Sequence, residues 1–197
     1  MIHVNRLPSL VRQHIAAFRA LLVFTVLCGI IYPVVMVGVA QVAFKNQANG
    51  SLVTYNGKVV GSSLLCQEFT DSKGNPLPQY FQPRSSTASN LGPTNPVLVK
   101  AIKQRQQQIA AFDHVKISQI PADAVTGSGS GLDPNISPQN AAIQVDRVAA
   151  ARHVSPAAIR ALVAEHTQGR TLGFLGEPRV NVLTLNIALD QQYPFHG

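Results

Sequence analysis

The chain has 197 residues, 46% of them hydrophobic and none of them Trp, and a formal charge of +7. That length holds one domain beside any membrane segment, and the scarcity of aromatics rests its core on Val, Leu, Ile and Ala. The basic residues lie singly along the chain without interleaved aromatics, which excludes a nucleic-acid-binding surface of the usual kind.

Residues 1–19 form a short basic lead carrying Arg6, Arg12 and Arg19, with His3 and His14, and no Asp or Glu occurs before Glu68. The 25 residues from Ala20 to Phe44 then contain no charged side chain. As a helix they would extend ~37 Å, more than the ~30 Å of a bilayer's hydrocarbon core. A cleaved signal peptide has a much shorter apolar region, so residues 20–44 are expected to stay as a single membrane anchor. The arginines before it place the N-terminus in the cytoplasm. Residues 45–197 are then extracytoplasmic, or periplasmic in a Gram-negative cell. Within the span, Thr25, Cys28, Gly29, Tyr32 and Pro33 recur at helical spacing, giving a face of small and polar groups suited to close packing by another helix. Pro33 has no N–H, and its ring presses on the carbonyl of Gly29, so a kink is expected there. Gln41, near the other end, needs a partner or headgroup water.

Beyond Lys45 a polar stem leads to Leu52–Tyr55, Asn56-Gly57 and Lys58–Val60, a β-hairpin whose Asn-Gly suits a type I′ turn. Residues 72–96 hold five prolines and read as a long irregular loop, unusual enough to suggest a contact surface. Leu98, Ile102, Arg105, Ile109 and Phe112 mark an amphipathic helix from about Pro96, with Arg105 on or beside its apolar stripe. Ser137-Pro138 and Ser155-Pro156 each read as an N-cap followed by the first helical residue. Ala141, Val145, Val148 and Arg152 mark the face of the first helix. Ile159, Leu162, Val163 and His166 mark the second, which Gly169 can end. Val180–Val182 looks like a strand, and from Leu183 to Asp190 periodicity does not separate strand from helix. The fold class is therefore α+β: one N-terminal transmembrane helix, then one extracytoplasmic domain of helices and a small sheet.

No catalytic constellation stands out. The glycine-rich stretch Gly127–Gly131 lacks the Lys-Ser/Thr of a P-loop and the spacing of a dinucleotide loop, and Asp133 would repel an anion. A structural turn is the favoured reading. His3, His14, His114, His153, His166 and His196 are dispersed, so no metal site is expected. Cys28 lies in the span and Cys66 outside it, which rules out an intrachain disulfide and suggests burial for Cys66. Glu177 and Arg179 could orient one another, with a surface pair the default. A pilin reading fails because no acid lies in or before the apolar run.

Several long strings carry a family resemblance: Gly29-Ile-Ile-Tyr32-Pro33, Gln47-Ala-Asn-Gly-Ser51, Asn90-Leu-Gly-Pro-Thr-Asn-Pro96, Val125-Thr-Gly-Ser-Gly-Ser-Gly-Leu-Asp-Pro-Asn-Ile-Ser-Pro138, Gln144-Val-Asp-Arg147-Val148-Ala149 and Leu175-Gly-Glu-Pro-Arg-Val-Asn-Val182. In this order they resemble the KdpC family, the small subunit of the bacterial Kdp potassium-transporting P-type ATPase. The basic lead looks longer than in that family, the stretch between Arg84 and Asn90 looks shortened, and Cys66 stands where Gly is usual. The resemblance implies a non-catalytic subunit in a complex with a channel-like potassium-binding subunit (KdpA type), a P-type ATPase subunit (KdpB type) and a small single-span subunit (KdpF type), embedded in membrane lipid. It implies a helix against the channel-like subunit, a domain over the outer ion entrance, and a role in assembly. The contact residues it suggests are Thr25, Gly29, Tyr32 and Pro33 on the helix. In the loops they are Asn90, Gly92, Pro93, Asn95, Gly127, Gly129, Gly131 and Asp133. ATP and potassium are used by the complex, and no cofactor is assigned to this chain. A role in helping ATP bind, proposed for the family, conflicts with the topology, because ATP lies on the arginine side of the membrane. The alternative is a membrane-anchored extracytoplasmic enzyme or solute-binding domain.

Overall fold

The computed structural model describes residues 8–84 and 89–195. Expectations that fall on His3, Arg6, His196 and the shortened stretch at 85–88 lie outside the described residues. The chain divides into two units, 1–51 and 52–197.

The first unit is helical. α1 (Ser9–Val26) passes through a π turn (Leu27–Ile31) into α2 (Tyr32–Ala43), and a short α3 (Lys45–Ala48) follows. The helix thus begins about ten residues before the apolar run and includes the part of the basic lead from Ser9 onward. At Pro33, where a kink was expected, the helix passes through a π turn: the Tyr32 N–H bonds the Leu27 carbonyl five residues back. That wider turn makes room for the proline ring and for the carbonyl left without an N–H partner. Gln41 finds its partner in Asn49: the Asn49 Nδ2 donates to Gln41 Oε1 at 3.2 Å and the Gln41 Nε2 donates back at 3.5 Å.

The second unit opens with the expected hairpin. β1 (Leu52–Tyr55) and β2 (Lys58–Ser62) pair antiparallel, with a bulge between Val53 and Thr54. Asn56 at φ 49° and Gly57 at φ 75° supply the two left-handed residues that a type I′ turn requires. α4 (Pro96–Asp113), α5 (Ala122–Val125), β3 (Asn135–Ile136), α6 (Pro138–Arg152), α7 (Pro156–Glu165), β4 (Thr167–Gln168), β5 (Arg179–Asn181) and α8 (Val182–Gln192) complete it. There are two small sheets rather than one: the hairpin, and an antiparallel sheet ordered β3-β5-β4. The expected strand ends at Asn181, one residue early, because the Asn181 side chain caps α8 by accepting the Thr184 N–H at 3.1 Å. The segment left open by periodicity is therefore helix. α7 stops at Glu165, ahead of the expected Gly169, and residues 167–168 turn directly into β4.

The two Ser-Pro cap readings hold, and Asn95 adds a third cap that the sequence reading did not name. Asn95, Ser137 and Ser155 each accept a backbone N–H at the start of a helix whose first residue is proline, each contact being worth about 1 kcal/mol. Asp123 reinforces the second cap, accepting from the Ser137 N–H at 2.9 Å, the Ser137 hydroxyl at 2.8 Å and the Asn140 amide at 3.2 Å. Val145, Val148, Ile159, Leu162, Val180, Leu185 and Leu189 form the core with Phe81. Phe81 belongs to the irregular loop, yet it is 0% exposed.

Candidate functional site

The burial of Phe81 depends on side chains. Proline at 78 and 83 keeps residues 78–83 from joining a ladder, so their backbone groups need other partners. α8 supplies Asn186: its Oδ1 accepts the Phe81 N–H at 2.9 Å and its Nδ2 donates to the Phe81 carbonyl at 2.9 Å. α6 supplies Gln144 in the same manner to Gln82, at 2.7 and 3.1 Å. Arg147 then donates to the carbonyls of Pro78 at 2.6 Å and Tyr80 at 2.9 Å, to Gln144 at 2.8 Å and to Asp113 at 2.7 Å. Its guanidinium lies 4.3 Å from the ring centre of Phe112. Arg152 donates to the carbonyls of Gln79 and Tyr193 and to Asp190, which also accepts the Tyr80 hydroxyl. Burial pushes the Asp113 carboxyl up and the Arg147 guanidinium down from their ordinary pKa values, against the attraction between them.

The glycine-rich loop is held by Arg84, which donates to the carbonyls of Thr126 at 3.2 Å and Gly127 at 3.1 Å and pairs with Asp133 at 3.4 Å. Arg105, half-buried at the edge of the α4 stripe, donates to the Val125 carbonyl at 3.0 Å. The loop thus turns carbonyl oxygens toward cations, and it leads into β3 rather than a helix. Both features are opposite to a phosphate cradle, which presents N–H groups at a helix N-terminus. Asp133 further holds the Asn135 N–H at 3.0 Å, and Gly131 sits at φ 69° to close the turn.

Two of the expected contact loops come together. Asn90, Gly127 and Gly129 line a crevice of 240 Å³ with Leu98, Ile102 and Arg105. Gly92 and Pro93 lie outside it, and Asn95 serves as the α4 cap. Gly129 and Asp133 border a second hollow with Leu64, Leu65 and Leu132, three leucines that remain exposed. A 530 Å³ cleft contains Glu68, Gln82, Arg84, Asn140 and Gln144. Among the described residues no buried side-chain nitrogen or oxygen lacks a hydrogen-bond partner, and no group of His, Cys, Asp or Glu is arranged to hold a metal. Cys66 is half-buried, and burial, aided by Glu68 and Asp133, lifts its thiol pKa.

Glu177 does not pair with Arg179. Both of its carboxylate oxygens accept from the Arg170 Nη2, at 2.8 and 3.0 Å, because the intervening turn returns on itself. Thr171 and Leu175 exchange backbone hydrogen bonds of 2.9 Å, Gly173 and Gly176 have positive φ, and Leu172 itself is at φ 55°. The result is a tight turn presenting Leu172, Phe174 and Leu175, which are 79%, 69% and 49% exposed.

On the span, Thr25 and Gly29 remain adjacent: a Cβ added at Gly29 would meet only the Thr25 methyl, at 3.9 Å. Tyr32 and Pro33 follow the π turn, which inserts an extra residue into the helical spacing between the two pairs. The sequence strings named Gln144 and Arg147 without giving them a role. The available signal was Arg152, an arginine spaced with Ala141, Val145 and Val148 on an apolar face. Asn186 carried no such signal.

A family model described as "KdpC: K+-transporting ATPase, c chain" matches residues 14–191. The potassium-transporting ATPase KdpC subunit of Dechloromonas aromatica (strain RCB) is 48% identical over 190 residues, covering 93% of this chain and 98% of that protein. The KdpC subunit of Sorangium cellulosum (strain So ce56) is 52% identical over 180 residues, covering 88% and 95%. That of Mycobacterium tuberculosis (strain ATCC 25177 / H37Ra) is 46% identical over 192 residues, covering 91% and 98%.

Proposed function

This chain belongs to the KdpC family of K+-transporting ATPase c chains, and from that premise we propose that it is a non-catalytic assembly subunit. As a KdpC subunit it is a component of a potassium-transporting P-type ATPase complex, and its apolar N-terminal helix fits a single-pass membrane protein. The proposal is that it joins a channel-like KdpA-type subunit to a KdpB-type ATPase subunit, beside a small KdpF-type subunit, with its domain outside the membrane over the ion entrance.

The observation that carries this reading is the division of labour among the family strings. Their polar members, Gln144, Arg147 and Asp133, are engaged in holding the chain's own backbone. Around the start of the string at 175–182, beside the exposed Arg170–Glu177 pair, a turn leaves three large apolar side chains outside: Leu172, Phe174 and Leu175. A polar interior fully occupied by its own fold has little left for chemistry, whereas exposed apolar groups on a locked turn suit docking on another subunit. The sidedness follows the arginine bias of the lead.

The test is capture of the tagged full-length chain from membranes, with the channel-like and P-type subunits expected to copurify. Failure of both to copurify overturns the proposal. Gly29→Leu is expected to lower the yield of complex, because the helix itself has room for a side chain there while a closely packed partner has not. Leu172→Ser with Phe174→Ser is expected to weaken association about thirtyfold, the equivalent of ~2 kcal/mol at an interface hot spot. Unchanged yields would remove these surfaces from the interface.

A further inference from the structure

We propose that residues 9–19 form a binding site for the headgroup of an anionic phospholipid, with Arg12 and Arg19 as its cationic contacts. This rests on residues 20–44 crossing a membrane and does not depend on the assembly role. The helix runs without interruption from Ser9 through the apolar stretch, so residues 9–19 leave the hydrocarbon at one face and enter its headgroup layer. An apolar stretch of ~37 Å in a ~30 Å core favours tilting, which keeps the emerging segment near that layer.

Arg12 and Arg19 stand seven residues apart, which on an α-helix puts them within ~20° of one another around the axis and ~10.5 Å apart along it. Neither takes part in the ion pairs found among the described residues, and no acidic residue occurs in the chain before Glu68. Their charge therefore has no counterpart within the segment. Beside them Leu10, Val11, Ile15 and Phe18 border a shallow groove of 470 Å³, with Leu10 67% and Phe18 58% exposed. His14 also borders the groove, with its Nδ1 2.8 Å from the Leu10 carbonyl.

An apolar groove bordered by Arg19, with Arg12 about two turns away on the same side of the helix and the whole continuous with a membrane-crossing surface, matches a lipid: acyl carbons along the groove and a phosphate at the arginines. The absence of acids from the segment favours an anionic over a zwitterionic headgroup, since nothing there would meet a choline. The family match starts at residue 14, so Leu10, Val11 and Arg12 lie outside it.

The experiment uses the full-length chain in detergent, loaded with equal phosphatidylglycerol and phosphatidylcholine, with native mass spectrometry reading the retained lipid. Phosphatidylglycerol is expected to be retained over phosphatidylcholine. The preference should fall about fivefold for each arginine replaced in Arg12→Gln and Arg19→Gln, following the ~1 kcal/mol that a basic residue contributes near an anionic surface. Arg12→Lys with Arg19→Lys should keep most of it. Equal retention of the two lipids by the unaltered chain, or an unchanged preference in the double Gln variant, overturns the proposal. So does a double Gln variant that keeps its lipid preference but no longer captures the partner subunits, because the arginines would then meet an acidic protein surface.

Discussion

Replacing Arg147 with Met should destabilise the domain by about 3–5 kcal/mol, the cost of leaving a buried charge without its partner. Asp113 is 6% exposed and would lose the guanidinium 2.7 Å away that offsets its burial. The carbonyls of Pro78 and Tyr80 and the amide oxygen of Gln144 would lose a donor in the same step. Denaturant unfolding of the full-length chain in detergent checks the loss, and a midpoint within error of the parent would contradict it. Asp113→Asn should cost less, because Arg147 keeps its three other acceptors. The pair sets a specific arrangement more than it adds net stability, since burial disfavours both charged forms. The sign with pH follows. A carboxyl whose folded pKa is raised binds its proton more readily in the folded state than in the unfolded one. Acidification from the raised value toward the ordinary carboxylate range therefore favours folding at Asp113, and this residue does not drive acid unfolding.

Asn186→Leu is the second large effect expected, about 2–5 kcal/mol. The substitution roughly conserves volume, so it creates little cavity. It strands the N–H and the carbonyl of Phe81, at a residue with 0% exposure, and each buried group left unsatisfied costs about 1–3 kcal/mol. The local readout is hydrogen exchange. The Phe81 amide should lose its protection in the variant, while amides within α6 keep theirs apart from the global loss of stability. Retained protection at Phe81 would show that another acceptor takes over.

These two residues also mark the boundary of what the sequence made legible. The hairpin was readable because Asn56-Gly57 determines its turn locally. The starts of α6 and α7 were readable because a serine cap and a proline sit side by side, and α4 was readable from the spacing of its apolar residues after Pro96. The Arg105 position was readable as a stripe edge. In contrast, residues 78–83 are held by Gln144, Arg147, Arg152 and Asn186, which lie 62 to 105 positions away from the groups they bind. No periodicity encodes a contact of that kind. Asn186 also interrupts the hydropathy of α8 from within the core, which is why residues 183–190 could be read as strand or helix. Glu177 was matched with its near neighbour Arg179 because the return of the 170–177 turn depends on the positive φ of Leu172, an unusual conformation for a branched side chain. The π turn follows from Pro33 only once the helix must stay continuous on both sides of it.

The candidate site divides in the same way. The glycine-rich string was legible as a turn from what it lacked, the phosphate-binding lysine. Its anchoring on Arg84 was not, because Arg84 lies 42 residues before Thr126. The family strings located the structurally demanding segments of the chain, and the structure distributes them between internal clamps and an exposed apolar turn.

The most direct measurement of the assembly role is size-exclusion chromatography of a tagged P-type subunit from cells expressing the complex with and without this chain, followed by potassium-stimulated ATP hydrolysis on the same fractions. The assembly role predicts that without the chain the channel-like subunit separates from the P-type subunit and potassium stimulation is lost, both returning when the full-length chain is coexpressed. A complex that stays together with its potassium stimulation intact in the absence of the chain would contradict it.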